Sequence, residues 1–556
     1  MKEAPNTELF SAYKVKVQNQ PDIHNGLHAY LVESNAPDNI DEIDHCDNNI
    51  KYKGQYKDIL TQLKVDGDGG FIEEIANTLD NSKNPTLIIS VHGFNNPPEV
   101  ILPGFWKSFE CVHADDKVNN KDVVCIGYRW PSEAILAPRR TIFKSAPNFL
   151  KLLFYFGIIL LSILIITLIL TWYEHSTGAI EHETTILVGI ADPLAALAVT
   201  LSFVSIPVTL FLLRLSVYFR DGYRATSFGI PDLVEIIRQI DKKLDERHNR
   251  HWLSRIGGQR NRVQLSFIGH SMGCYVVTSV VRILSDVFDP ATMREGLNKS
   301  HAPAEEEDDK EKFSKIGHVF KLAQLILVSP DIPAEALITS RANFLSNSLK
   351  RFEEKYLFSN EGDEVLRQIA TVANYFSFPT KNNKFGYRLG NVCLPGKLWG
   401  ISKGVEWSDL TIGDMTISEI CAELGIRRPS DLKHDLPAQI SYFDCTDCVD
   451  NLEKCGERGI LTLASRGHPM KNTGYNHLLL LLRYLLPPES CLRVDVHGGY
   501  FRSPFLSKLI YRLACLGYEK TKEAYGGETQ MNEECSKHQV KALLALNPKV
   551  NGTVNS

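Results

Sequence analysis

The stretch VQLSFIGHSMGCYVVTSVVRIL, residues 263–284, decides how this chain is read. Six mostly apolar, partly β-branched residues enter a tight G-H-S-M-G, and a helix-compatible apolar run follows. A serine between two glycines at this spacing predicts a strand-to-helix elbow: the serine takes a strained backbone conformation, and Gly269 and Gly273 let strand and helix approach without side-chain clashes. Taking Gly and Ser each at roughly 7% of residues, chance alone places a G-x-S-x-G in about one chain in five of this length. The pentapeptide therefore needs its context, which lies upstream.

There, Thr86–Val91 (TLIISV) forms another short apolar run, ending in His92-Gly93-Phe94-Asn95-Asn96. Acyl transfer needs hydrogen-bond donors for a tetrahedral oxyanion, and backbone N–H groups from an early strand loop and from the residue after the nucleophile supply them. The donors expected on this reading are the amides of Met272 and of Phe94 or Asn95, with His92, Gly93 and His270 lining the pocket. His270 adjoins the serine but is read as packing, because neighbouring side chains at an elbow diverge.

Further strand-like runs occur at residues 123–128 (VVCIGY), 322–328 (LAQLILV) and 355–358, and residues 230–247 have helical spacing. Short apolar strands separated by helices predict a mainly parallel α/β sheet with right-handed crossovers, whose ligand groups gather at the carboxyl ends of the strands. His92, Ser271, Asp331 and Asp363 each follow a strand end in that sense.

The combination resembles the α/β-hydrolase superfamily and, within it, the bacterial group called domain of unknown function nine hundred. The likeness rests on H-G-F-N-N at His92, Y-R-W-P-S at Tyr128, G-H-S-M-G at Gly269, S-P-D-I at Ser329, S-N-E-G-D-E-V-L at Ser359 and Y-R-L-G at Tyr387, and it covers roughly residues 84–392 plus a later histidine segment. It implies a serine hydrolase mechanism without specifying a substrate. Triad order in that fold is serine, acid, histidine. Asp363 is ranked first as the acid and Asp331 second, the latter also placed to cap a helix near Pro333. For the base, His497 is ranked ahead of His468, and His477 is read as structural within a helix. The expected chemistry is an acyl-enzyme on Ser271, with His497 as base and Asp363 fixing its tautomer.

The chain departs from the group by an insertion. Residues 152–173 (LLFYFGIILLSILIITLILTWY) carry no charge and are long enough to cross about 30 Å of hydrocarbon as a helix. Residues 194–213 form a second apolar stretch with Pro207 as a kink. Arg139, Arg140, Lys144 and Lys151 precede the first, Arg214, Arg220 and Arg224 follow the second, and the linker EHSTGAIEHETT has neither Lys nor Arg. The positive-inside rule makes this a two-span hairpin with its flanks and soluble mass in the cytoplasm. A membrane-anchored esterase acting on an acyl ester, such as a lipid, is the resulting expectation. A catalytically silent scaffold on the same fold and an acyltransferase are the alternatives.

Composition bounds the rest. The 556 residues, 44% hydrophobic and 23% charged, suggest a globular chain of roughly two to four units. A net charge of -5 offers no basic field for nucleic acid. The amino terminus shows no apolar signal segment. Twelve cysteines are too sparse for a disulfide scaffold and read as reduced thiols; Cys445-x-x-Cys448 with Cys455 is a weak metal pattern, and no metal or cofactor is expected. The parts are therefore residues 1–83 of unassigned role, 84–146 and 218–392 as the two halves of the hydrolase-like domain, 147–217 as the hairpin, 393–525 carrying the candidate histidine, and 526–556 as a polar, fraying tail.

Overall fold

The apolar runs become the inner strands of one large sheet in a computed structural model that describes residues 9–15, 26–36, 68–132, 148–177, 208–209, 211–252, 262–287, 314–338, 345–377, 387–396, 398–413, 415–423, 436–452, 455–484, 486–487 and 490–545. The strands are β1 (Phe10–Val15), β2 (His28–Ser34), β3 (Thr86–Val91), β4 (Val123–Arg129), β5 (Val263–His270), β6 (Phe320–Val328), β7 (Glu354–Ser359), β8 (Ile440–Asp444), β9 (Val449–Leu452), β10 (Gly456–Gly459) and β11 (Lys541–Leu543). Across the main sheet they run β1-β2-β4-β3-β5-β6-β7-β8-β11, with Gly400–Ile401 at the far edge, while β9 and β10 pair as a separate hairpin. From β2 to β8 every pairing is parallel; β1 on β2 and β11 on β8 are antiparallel.

A parallel sheet with both faces covered wants strands without a polar side, and β3 and β4 are buried at every residue. The covering helices are α1 (Asp68–Asn81), α2 (Pro98–His113), α4 (Ile230–Trp252), α5 (Met272–Val287), α6 (Gly474–Tyr484), α7 (Pro504–Ala524) and α8 (Glu528–Lys537), α3 being the apolar helix Asn148–Thr177. In α1 the buried Phe71, Ile72, Ile75, Ala76 and Leu79 form one stripe at helical spacing, which packs toward α4. α7 begins at Pro504 with Ser503 accepting from the Leu506 amide, so a sequence cap and a first-turn proline set its start.

The chain divides into two compact units, one of residues 1–132 with 222–556 and the other of residues 133–221. In the second, Asn148–Thr167 is long and apolar enough to cross a membrane, which by itself is weak evidence of a span. Of the second expected span, only residues 208–209 and 211–213 are described, and they are helical; the rest lies outside the described residues, as do the flanking Arg139, Arg140 and Lys144.

Two expectations are corrected. The carboxyl-terminal stretch does not fray from residue 526: α8 buries Met531 and Cys535 four residues apart, and β11 joins the main sheet beside β8 with Ala542 fully buried. So few apolar anchors in a polar segment leave little pattern to read, yet each has a place in the core. Second, Cys455 is not a free thiol but is bonded to Cys491, while Cys445 and Cys448 are buried thiols whose proton affinity burial raises. No cluster of metal-ligand type occurs among the described residues.

The long separation between α2 and α7 is closed by a buried, two-pronged ion pair: Arg512 donates from Nε (2.5 Å) and Nη2 (3.0 Å) to the two carboxylate oxygens of Asp115. Removing one member of such a pair leaves a desolvated charge, which costs far more than a surface pair would. Asp115→Ala is expected to lose about 3–5 kcal/mol of stability, read from the denaturation midpoint of purified protein.

Candidate active site

The carboxyl ends of β3, β5, β6 and β7 converge, and each delivers one part of a site. β5 ends at His270, Ser271 takes a positive φ of 55°, and α5 begins at Met272. Such a left-handed serine is uncommon and strained, and it places the side chain at the apex of the turn. The turn is pinned by Ser271 N–H donating to the Val328 carbonyl at 2.9 Å, and by Cys274 N–H donating to the Ser271 carbonyl at 3.0 Å.

The flanking glycines are needed because backbone sits where their side chains would be. A Cβ on Gly273 would lie 2.4 Å from the Val91 carbonyl oxygen, and one on Gly269 would lie 2.7 Å from Cys274 Cα. Gly93 has the same constraint from the opposite side: its Cβ would lie 2.7 Å from Ser271 Cβ. The H-G-F loop therefore rests directly on the serine. Asn95 in that loop also has positive φ, 57°. Met272 opens α5, where no earlier turn of the helix accepts its N–H.

The W-P-S segment holds this loop. Trp130 Nε1 donates to the His92 carbonyl at 3.0 Å, its ring stacks on the His92 imidazole with centroids 5.1 Å apart, and Ser132 Oγ accepts from the Asn96 amide at 3.1 Å. His92 Nδ1 donates to the Gly93 carbonyl at 2.6 Å. Burial, reinforced by the Arg129 charge, pushes the His92 pKa down to about 3, so this imidazole stays neutral and structural.

Asp363 follows β7, and its carboxylate is surrounded by donors. Oδ1 accepts from the amides of Val365 and Leu366, both at 3.1 Å; Oδ2 accepts from the Ser329 hydroxyl and from His497 Nδ1, the latter at 2.7 Å. The loop that carries it is held in turn: Asp363 N–H donates to the Asn360 carbonyl, Asn391 Nδ2 to the Asp363 carbonyl, and Asn360 Nδ2 to the Val496 carbonyl next to His497. Ser329, Asn360 and Asn391 are therefore positioning residues that the sequence reading did not single out. Ser329 was visible only as the first letter of S-P-D-I, and its own positive φ of 46° was not legible there.

With Nδ1 committed to Asp363, His497 presents Nε2, which is buried and has no protein partner; the Ser271 hydroxyl is likewise fully buried and unpartnered. Burial on its own would lower the His497 pKa, but the charge and hydrogen bond of Asp363, aided by Asp495 and Asp331, outweigh it and raise it above 6.5. His270 goes the other way, pushed down to about 4 by burial and by the His497 charge. Its Nε2 donates to the His497 carbonyl at 2.9 Å and its ring lies 4.9 Å from the His497 ring, so it supports the loop as packing. Phe94 completes the wall, 6.4 Å from the same imidazole.

The second-ranked residues stand elsewhere. Asp331 donates its amide to the Ser271 carbonyl, but its carboxylate pairs with buried Arg388 at 3.0 Å. His468 is exposed in the turn of residues 465–468 and bonds the Arg466 carbonyl. His477, in α6, pairs with Glu364 at 2.5 Å.

Comparison with known proteins returned no match among family models, curated proteins or solved structures. The geometry alone makes a specific demand. A hydrogen bond to a charged group is worth about 1.5–3 kcal/mol, so Ser329→Ala is expected to destabilise the protein by that amount, measured by chemical denaturation.

Proposed function

We propose that the chain is a membrane-anchored serine hydrolase of the α/β-hydrolase type, with Ser271 as nucleophile, His497 as base and Asp363 as the acid that orients it. The observation that carries this reading is the combination of a positive-φ serine at a strand-to-helix elbow, whose Oγ is buried and unpartnered, with a buried His497 whose Nε2 is likewise unpartnered and whose Nδ1 is held by the Asp363 carboxylate. A buried polar atom without a partner is costly, and such cost persists where function requires it.

On this reading Nε2 takes the hydroxyl proton as Oγ bonds to the acyl carbon. The oxyanion meets the amides of Met272 and of Phe94 or Asn95, and the imidazolium returns its proton to the leaving alcohol. Water, activated by the same imidazole, then releases the acid. An acceptor other than water at this last step would make the protein an acyltransferase, distinguished by its products.

A fluorophosphonate probe tests the nucleophile. Labelling of intact protein is expected, with loss in Ser271→Ala and a fall of about 10²–10⁴-fold in rate in His497→Ala. Well-folded protein that takes no label would favour a silent scaffold instead. The pH dependence adds an independent signature. Because the His497 pKa is raised, the neutral imidazole that acts as base becomes populated only above the ordinary histidine value, so labelling should rise with pH through an inflection above 6.5. Asp363→Asn removes the largest raising cause and leaves burial, so its inflection should move to lower pH.

The membrane part of the proposal rests on α3 and on the sequence of residues 194–213. Read as a hairpin, they enter the chain between β4 and α4, and the arginines and lysines on both flanks favour a cytoplasmic soluble unit. The Cys455–Cys491 bond favours the opposite, oxidising side. We give the charge pattern precedence, because it acts on orientation during insertion; protease accessibility of the soluble unit in sealed membranes decides it. A chain anchored this way has acyl lipids at hand, and a vesicle-embedded acyl ester is the substrate class proposed. Equal or faster turnover of a short soluble ester by intact and hairpin-deleted protein would remove that preference.

A further inference from the structure

Outside the site already described, the hairpin of β9 and β10 and the helix α6 flank an open pocket of about 220 Å³ lined by Arg458, Thr462, Arg483, Val494 and the Cys455–Cys491 disulfide. Two of its lining residues are arginines, Arg458 and Arg483, and a third arginine, Arg502, acts on Arg458 electrostatically. Arg458 is half-buried, and one of its nitrogens donates to the Arg493 carbonyl. The charges that act on it are like charges: after burial itself, Arg502 and Arg483 hold it below the usual guanidinium range. Among the described residues no carboxylate pairs with Arg458, Arg483 or Arg502.

Concentrating cations around a partly desolvated pocket with no paired carboxylate among the described residues is unfavourable, and an anion inside it reverses the sign of every one of these interactions. Arginine is also the side chain whose planar fork matches the oxygens of a phosphate. Exposed leucines lie near it in sequence: Leu478 and Leu482, one turn apart on α6, are 55% and 54% exposed, and Leu492, after Cys491, is 62% exposed. Exposed leucines next to paired arginines suit a group that carries both a phosphate and hydrocarbon.

We propose that this cavity binds a phosphate-type anion, presented either on a lipid headgroup or as the free ion. The assignment does not rest on the hydrolase reading, although one segment of chain serves both sites. Val494 lines the cavity, and three residues on, the same strand of chain carries His497, steadied by the Asn360 bond to Val496 at 2.7 Å.

The test uses full-length protein and hydrogen exchange of residues 455–464 and 483–496. In nonionic detergent, inorganic phosphate at about ten times its dissociation constant is expected to slow exchange there about tenfold relative to chloride of equal ionic strength. Arg458→Gln with Arg483→Gln should abolish the slowing. Arg502→Gln, a change at an exposed position that leaves the cavity wall intact, should weaken it. In phosphatidylcholine nanodiscs, slowing caused by added phosphatidate and not by free phosphate identifies a lipid source, and the reverse identifies the free ion. Exchange that is equal in phosphate and chloride and equal in both kinds of disc overturns the proposal, as does a full response in the double variant. Fluorophosphonate labelling of the same samples reports separately on Ser271.

Discussion

The site depends on a steric constraint: three backbone segments meet with no room for a side chain between them. The Cβ positions of Gly269, Gly273 and Gly93 are each within 2.7 Å of a neighbouring atom, on Cys274, Val91 and Ser271 respectively. Only because these three positions are bare can β5 turn into α5, α5 lie against the end of β3, and the loop after β3 rest on the serine. Packing at this density transmits the geometry without slack. The strained φ of Ser271 is then a consequence, since the carbonyl of Val328 and the amides of Cys274 and Asp331 hold that residue from three directions.

The histidines around the elbow show how burial and charge divide their roles. His92 and His497 are buried and His270 is partly so, and desolvation disfavours the cation in each. Only His497 has a carboxylate bonded to its ring, and only its proton affinity rises. Asp363 can supply that charge because its other oxygen accepts from two backbone amides and the shared one also accepts from the Ser329 hydroxyl, which fixes the carboxylate's position beside the imidazole. Neutral His92 and His270 then act as shaped, hydrogen-bonding walls for the loops at Gly93 and His497.

The inner strands and the elbow were legible because their signals are local: apolar runs of strand length, and a glycine at each point of close approach. The proposed acid and base were legible in the sequence only as ranked alternatives. Asp331 and Asp363 both follow strand ends, and what separates them is Arg388, a buried cation near in space to Asp331 and 57 residues away in sequence (388 − 331). His468 and His497 likewise both follow apolar stretches, and exposure divides them. The last sheet strands were not legible at all. β8 and β11 are antiparallel partners formed by segments almost a hundred residues apart, and Lys541–Leu543 is too short to show a period.

That late pairing explains why the carboxyl-terminal region belongs to the same unit as the elbow. β8 extends the parallel sheet beside β7, the strand that delivers Asp363, and the chain then returns through the β9–β10 hairpin and α6 before it reaches His497. His497 is thus carried by a segment anchored at one end to the sheet and at the other to α7, which Asp115 and Arg512 tie to the end of α2. A histidine outside the strands needs such bracing, since its ring must hold a fixed orientation across a long stretch of irregular chain. The Asn360 bond to Val496 and the His270 bond to His497 supply it from the ends of two strands, so that the loop is registered against both the Asp363 loop and the elbow at Ser271.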